Sequence, residues 1–185
     1  MQAKGNGVMG TISDAVRQLA GKVEVDFVDW HEACKDKVRR QAIVTDALFE
    51  SALDCVIQLR LSPKDEVLGQ LLSATKMNDK TRLAYVLGLI TKGTMQDLQH
   101  MHNIRNTFAH ARKPDWSNPD LVKQVLRLST VKGKRKQVIG LNLMDFYSEA
   151  RRKCRDSILK AIDELHTAGD TTERRVRQTR RTSRR

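Results

Sequence analysis

Residues 36–61 read DKVRRQAIVTDALFESALDCVIQLRL, and their apolar spacing decides the fold class. Val38, Ala42, Thr45, Phe49, Ala52, Val56 and Leu59 follow at intervals of 4, 3, 4, 3, 4 and 3, the continuous face of an α-helix. At 1.5 Å per residue such a helix is roughly 35–40 Å long. Ile43, Val44, Leu48, Leu53 and Cys55 widen the stripe, so the helix is expected at the centre of a bundle, packed on several neighbours. The same apolar girth predicts a homodimer, because a single bundle partner would leave part of it uncovered.

Working downstream, Ser62-Pro63 is expected to cap and start a second helix, with Asp65 and Glu66 at its positive end and Leu68, Leu71 and Leu72 inward. Asn78 or Asp79 is expected to cap a third, with Leu83, Val86, Leu87 and Ile90 inward, and Gly93 to separate it from a fourth starting near Thr94. Met95, Leu98, Met101, Ile104, Arg105 and Phe108 share one side of that fourth helix, which Lys113-Pro114 stops. Asn118-Pro119 repeats the cap-plus-proline start ahead of Leu121, Val122, Val125, Leu126 and Leu128. Residues 129–140 read as a loop or small hairpin with a basic tip. A final helix from about Leu141 to Thr167 turns Leu143, Tyr147, Ala150, Cys154, Ile158, Ala161 and Leu165 inward. Upstream, residues 1–35 form a leader in which 24–35 could make a short helix around Phe27, Val28 and Trp30. The expected organisation is this leader, a helical domain over 36–168 and an Arg-rich tail over 169–185. The fold class is all-α: a compact bundle of five to seven helices with a basic, disordered C-terminal tail.

Composition agrees. A chain of 185 residues holds one domain with a sizeable core. Aromatics at 4% argue against a sandwich or barrel and for packed helices. The net charge of +12 draws the chain toward polyanions. Cys34, Cys55 and Cys154 are odd in number and form no CxxC pair, so neither a disulfide framework nor a zinc site is expected, and a reducing cytoplasm is the natural setting. The longest uncharged apolar stretch, Leu83 to Thr91, falls far short of the ~20 residues a membrane span needs. A soluble cytoplasmic protein with no membrane contact, metal or cofactor is expected.

The basic residues are the first functional candidates. Within residues 171–185, Arg174, Arg175, Arg177, Arg180, Arg181, Arg184 and Arg185 face only Glu173, six net positive charges in a segment unable to bury a core. Such a segment is suited to sequence-indifferent nucleic-acid binding. Lys132, Lys134, Arg135 and Lys136 at the loop tip, with Arg151, Arg152 and Arg155 on the last helix, are further nucleic-acid candidates. For these the plain alternative is a solvated face. His100 and His102 are two apart, the wrong spacing for one helix face, and no Cys or His set completes a metal site. Trp30, Trp116, Tyr85 and Tyr147 are too dispersed for a base-stacking platform and are assigned to core or loop packing.

The stretch from Arg82 to Leu128 is the most informative motif. RLAYVLGLI (82–90), TMQDL (94–98), IRNTFAH (104–110) and the proline-flanked segment after them resemble the core of the mannitol operon repressor family. ALFESALDCVI (47–57) and ARRKCRDSIL (150–159) extend the resemblance over about residues 40–165. It implies a compact all-helical module associated with transcriptional repression, acting through protein or nucleic-acid contacts. Arg105, Asn106 and His110 also spell R-N-x-x-x-H, similar to the motif of the HEPN superfamily, many of whose members are metal-independent endoribonucleases. In that reading His110 would move the proton of a ribose 2′-hydroxyl or leaving oxygen, and Arg105 would stabilise charge at phosphorus. Arg105 lies about 140° from His110 around an ideal helix at 100° per residue. The two could act together only if the helix ended between them or a dimer brought a second copy close. The structural alternative has Arg105 bracing Glu50, Asp54 or Asp97, Asn106 capping a turn, and His110 meeting free carbonyls at a helix C-terminus. A non-enzymatic regulator, with a protein partner and nucleic acid as its contacts, is the first expectation. A HEPN-like nuclease, an inactive relative and a small adaptor without a nucleic-acid role are the alternatives.

Overall fold

The computed structural model describes residues 38–61, 65–110, 118–131 and 143–182, with side chains described from 41 to 168 within those ranges. They form six α-helices: α1 Val38–Leu61, α2 Glu66–Ala74, α3 Met77–Val86, α4 Lys92–His110, α5 Pro119–Val125 and α6 Leu143–Thr182. A 3-10 turn, Ser129–Val131, lies between α5 and α6, and no strand occurs among the described residues. The all-α bundle expected from the sequence is therefore present. The leader, the Ser62-Pro63 pair, Trp116 and the basic tip at 132–136 lie outside the described residues.

α1 is the central element. Ala42, Thr45, Phe49, Ala52, Val56 and Leu59 are all buried, as the 4-3 spacing requires, and Leu53, Cys55 and Ile57 are buried beside them. α2, α3, α4 and α6 of the same chain all pack against it. Ile43, Val44 and Leu48, part of the girth that suggested a homodimer, are half-buried. α4 is the second hub, touching α1, α3, α5 and α6 and burying Leu98, Met101, Ile104 and Phe108. From α6 come Tyr147, Ala150, Cys154, Ile158, Ala161 and Ile162. Each large side chain fully withdrawn from water contributes about 1.5–3 kcal/mol, so these interlocked stripes hold the bundle.

Several boundaries differ from the sequence reading. Asp65, rather than Ser62, caps α2: its carboxylate accepts from the Val67 and Leu68 backbone N–H groups at 2.9 and 3.1 Å. A carboxylate at this point also answers the positive end of the helix dipole. The N-cap position of α3 is Lys76, without a side-chain capping bond, ahead of Asn78 and Asp79. The break between α3 and α4 falls at Gly88, not Gly93. Gly88 has φ +73°, its N–H donates to Tyr85 O at 3.0 Å, and Leu89 N–H donates to Ala84 O at 2.9 Å. That pair of bonds is a Schellman ending, which a residue without Cβ adopts without strain. Gly93 lies in the first turn of α4. Asn118 does cap α5, with Pro119 at its first position.

Leu71 and Val86, expected inward, are 63% and 78% exposed. On short helices with one buried edge, neighbouring apolar positions cannot all turn the same way. Leu72 and Ala84 take the interior instead. The backbone of α6 runs on to Thr182, past the Thr167 boundary expected from the apolar pattern. Arginine is a good helix former, and extending an existing helix costs little. The core ends earlier, with Ile162 and the partly buried Leu165 as its last described members. No described helix is long and apolar enough to cross a membrane.

Candidate functional site

The polar groups that matter sit on one row of α1. Asp46, Glu50 and Asp54 recur every fourth residue, so three carboxylates line one face of an otherwise apolar helix. Two different sets of partners meet them.

At Glu50 and Asp54 the partner is Lys80 of α3. Its side chain is 1% exposed, and Nζ donates to Glu50 Oε1 at 3.0 Å and Asp54 Oδ2 at 2.8 Å. A buried ammonium survives only with such partners. Burial pushes the Asp54 carboxyl above the usual range; the bond and charge of Lys80 oppose that rise, and Glu50 adds to it.

At Asp46 the partners come from α4. The carboxylate is 6% exposed, and its Oδ1 and Oδ2 stand 3.1 and 2.9 Å from His102 Nδ1. A carboxylate only accepts here, so the imidazole carries its proton on Nδ1. Arg105 Nε lies 3.7 Å from Asp46 Oδ2, while Nη1 donates to Asn106 Oδ1 at 2.8 Å. The phenol of Tyr147 is buried on the α6 side with Thr45, Asp46 and Arg151 around it, and burial pushes its titration well up. Two polar residues are thereby oriented at a partly open surface: His102 is 21% and Arg105 37% exposed.

Arg105 faces Asp46 rather than the expected Glu50, Asp54 or Asp97. The carboxylate of Asp97 accepts instead from the backbone N–H and hydroxyl of Ser129, pinning the 3-10 turn. An open groove of about 300 Å³ beside it is lined by Gln96, Asp97, Arg127 and Ser129 among others. His110 is exposed at the last residue of α4, as the structural alternative places it. The helix is unbroken from Arg105 to His110, so within one chain the two project about 140° apart. Sequence reading missed Asp46, His102 and Lys80. The available signal was the i, i+4, i+8 row of acids inside an apolar stripe.

On the outer face of α6 the expected basic residues are largely paired with acids of the same helix. Arg152 reaches Asp156 at 3.7 Å, Lys153 reaches Glu149 at 3.3 Å, and Arg155 reaches Asp156 at 2.8 Å. Over residues 143–168 five Lys and Arg stand against five Asp and Glu. Arg174, Arg175, Arg177, Arg180 and Arg181 follow on the helical backbone beyond, with their side chains outside the described set, as are Arg184 and Arg185. Cys154 is buried and its thiol is held well above its usual range by burial, so it serves as core. No group of His, Cys, Asp and Glu suited to a metal occurs among the described residues.

No family model matches the chain, and no curated protein matches it. Among solved structures, the X-ray structure of the MtlR-HPr complex from Escherichia coli is similar at 12% identity and a TM-score of 0.44, covering 82% of this chain and 98% of that one.

Proposed function

We propose that this chain is a non-enzymatic regulator that works through protein and nucleic-acid contacts, with its arginine-rich C-terminal end carrying the nucleic-acid contact. The observation that carries the reading is the uneven charge along α6. Its packed part is electrically balanced by pairs within the helix, while residues 171–185 hold six of the twelve net positive charges of the whole chain. Paired surface cations attract a polyanion weakly, because each must first give up or share its own carboxylate. Arginines in excess of the acids near them in sequence can instead neutralise phosphates and release their counterions. The resemblance of Arg82–Leu128 to the mannitol operon repressor family supports the regulatory half of the proposal. The bracing of Arg105 by Asp46 and Asn106, on the far side of α4 from His110, favours regulator over nuclease.

The test is salt dependence. Log affinity falls with log salt by about 0.9 per neutralised phosphate on duplex DNA, so four engaged arginines contribute a slope of about −3.6. Removing residues 171–185 should flatten the slope by about three to four, and the full chain should lose on the order of a hundredfold between about 50 and 200 mM salt. An unchanged slope in the truncated chain overturns the assignment and moves it to residues 132–136 and 151–155. Metal-independent RNA cleavage lost in both Arg105→Ala and His110→Ala, with both variants folded, would replace the regulator by the nuclease.

A further inference from the structure

Past Ile162 and Leu165, the last described members of the core, the backbone of α6 stays helical to Thr182. Thr167 and Ala168 are exposed, so the helix leaves the bundle there. From Leu165 on, at 1.5 Å per residue, about 25 Å of helix remains. Five arginines lie on the stretch 169–182. At 100° per residue, Arg174, Arg177, Arg180 and Arg181 take register positions within an arc of about 120°, and Arg175 falls outside it. The rest of the circumference carries Thr171, Thr172, Val176, Gln178 and Thr179, with Val176 the one large aliphatic residue. That gives a basic stripe without the apolar face that a lipid surface requires. Asp170 and Glu173 stand four residues before Arg174 and Arg177, the order that supports a helix. Arg177 stands three and four residues before Arg180 and Arg181, and like charges at those spacings oppose it. A polyanion along the stripe cancels that repulsion, so binding it and holding the helix reinforce each other.

We propose that residues 169–182 bind double-stranded DNA as a helix, with the stripe Arg174, Arg177, Arg180 and Arg181 along the phosphates that wall the major groove. This rests on the reading of the arginine-rich end as the nucleic-acid contact, and adds the form of the partner and of the segment. A helix about 10–12 Å across enters the major groove of B-DNA, which is about 12 Å wide. About 25 Å of helix spans roughly seven base pairs at about 3.4 Å each. The major groove of duplex RNA is deep and narrow and does not admit the helix. Single strands are held largely by stacking on aromatic side chains, and residues 169–185 contain none. Contacts confined to phosphates fix position without reading base sequence.

The test keeps the charge and moves the stripe. In the full chain, Val176→Arg with Arg177→Val and Thr179→Arg with Arg180→Thr exchange neighbouring residues, so composition and net charge are unchanged while the arginines spread around the helix. Affinity for a mixed-sequence DNA duplex at fixed salt should fall about tenfold, the worth of one charge-assisted hydrogen bond. Affinity for an oligothymidylate and for an RNA duplex should stay as in the parent. Thr179→Pro, which breaks the helix without touching a charge, should weaken duplex DNA binding by a similar factor. It should also abolish the gain in helical circular dichroism that the DNA duplex induces in the parent. The exchanges and the proline all lie past the core, so the variants retain the folded bundle. Truncation of residues 171–185 that leaves duplex affinity and its salt slope unchanged overturns the arginine-rich end as the contact, and this proposal with it. Truncation that weakens binding while the exchanged chain keeps the parent's duplex affinity overturns the helical stripe alone. Equal losses in the exchanged chain on the DNA duplex and on the oligothymidylate or RNA duplex overturn the assignment to the DNA major groove.

Discussion

Two polar clusters hang on the same row of α1, one turn apart, and they differ in what the opposing helix offers. Around Glu50 and Asp54 the buried group is the cation: Lys80 is 1% exposed, while Glu50 and Asp54 are 38% and 29% exposed. Around Asp46 the buried group is the carboxylate, 6% exposed, while His102 and Arg105 are 21% and 37% exposed. An ion inside a bundle is a structural commitment, since losing one partner strands the others away from water. An ion at the rim can exchange its partner for water or a ligand at small cost. In the first cluster the buried ion is the cation and in the second the carboxylate, so only the second turns basic groups toward water.

Removing the buried cation is the harshest way to examine that contrast. Lys80→Ala removes a buried ammonium with its methylenes and leaves two partly exposed carboxylates without their shared partner, and a loss of about 2–4 kcal/mol is expected by denaturant unfolding. A loss comparable to that of a surface lysine would erase the distinction between the clusters. The effect has a pH signature. Asp54 already has a folded pKa above its ordinary 3.8 because of burial, so the folded state holds its proton more tightly than the unfolded one. Stability from that protonation is fully present below 3.8 and is lost as pH rises through the raised value. Without the ammonium the rise is larger. The deficit of Lys80→Ala should therefore shrink as pH falls from neutral toward the ordinary Asp range, in paired melts with the parent chain.

A smaller effect is expected at the open cluster. Asp46→Ala removes an acceptor from His102 and Arg105, both of which can turn to water, and should cost about 1–3 kcal/mol. A cost equal to that of Lys80→Ala would mean that the buried carboxylate holds the bundle as strongly as the buried cation. The bundle should still melt cooperatively in the same variant. The smallest expected effect belongs to the C-terminal segment, whose arginines lie past the last core residues. Cutting residues 171–185 should leave the melting temperature nearly unchanged while it alters the salt slope. A large drop in melting temperature would show that the segment packs on the bundle.

The helices themselves were legible because burial on α1 and α6 follows a spacing that only one periodicity satisfies. Val56 and Ile158 are fully buried, and each could be named from its neighbours in sequence. The short helices were less legible. α2 has too few turns for its stripe to choose between Leu71 and Leu72, so the choice fell to whatever α1 presented. The Gly88 ending was hidden for a related reason: two glycines stood near the break, and only the chain path shows which one takes positive φ.

The sequence by itself determined the fold class, the central place of α1 and the concentration of charge at the C-terminal end, since these follow from periodicity and composition along one chain. Only the tertiary structure decided the candidate site. Asp46 meets His102 across 56 residues, and Glu50 and Asp54 meet Lys80 across 30 and 26. No local rule ranks such pairs, because electrostatic partners are chosen by helix packing and not by spacing in the chain. That packing also turned the row of acids on α1 into one cluster around a buried cation and one around a buried carboxylate.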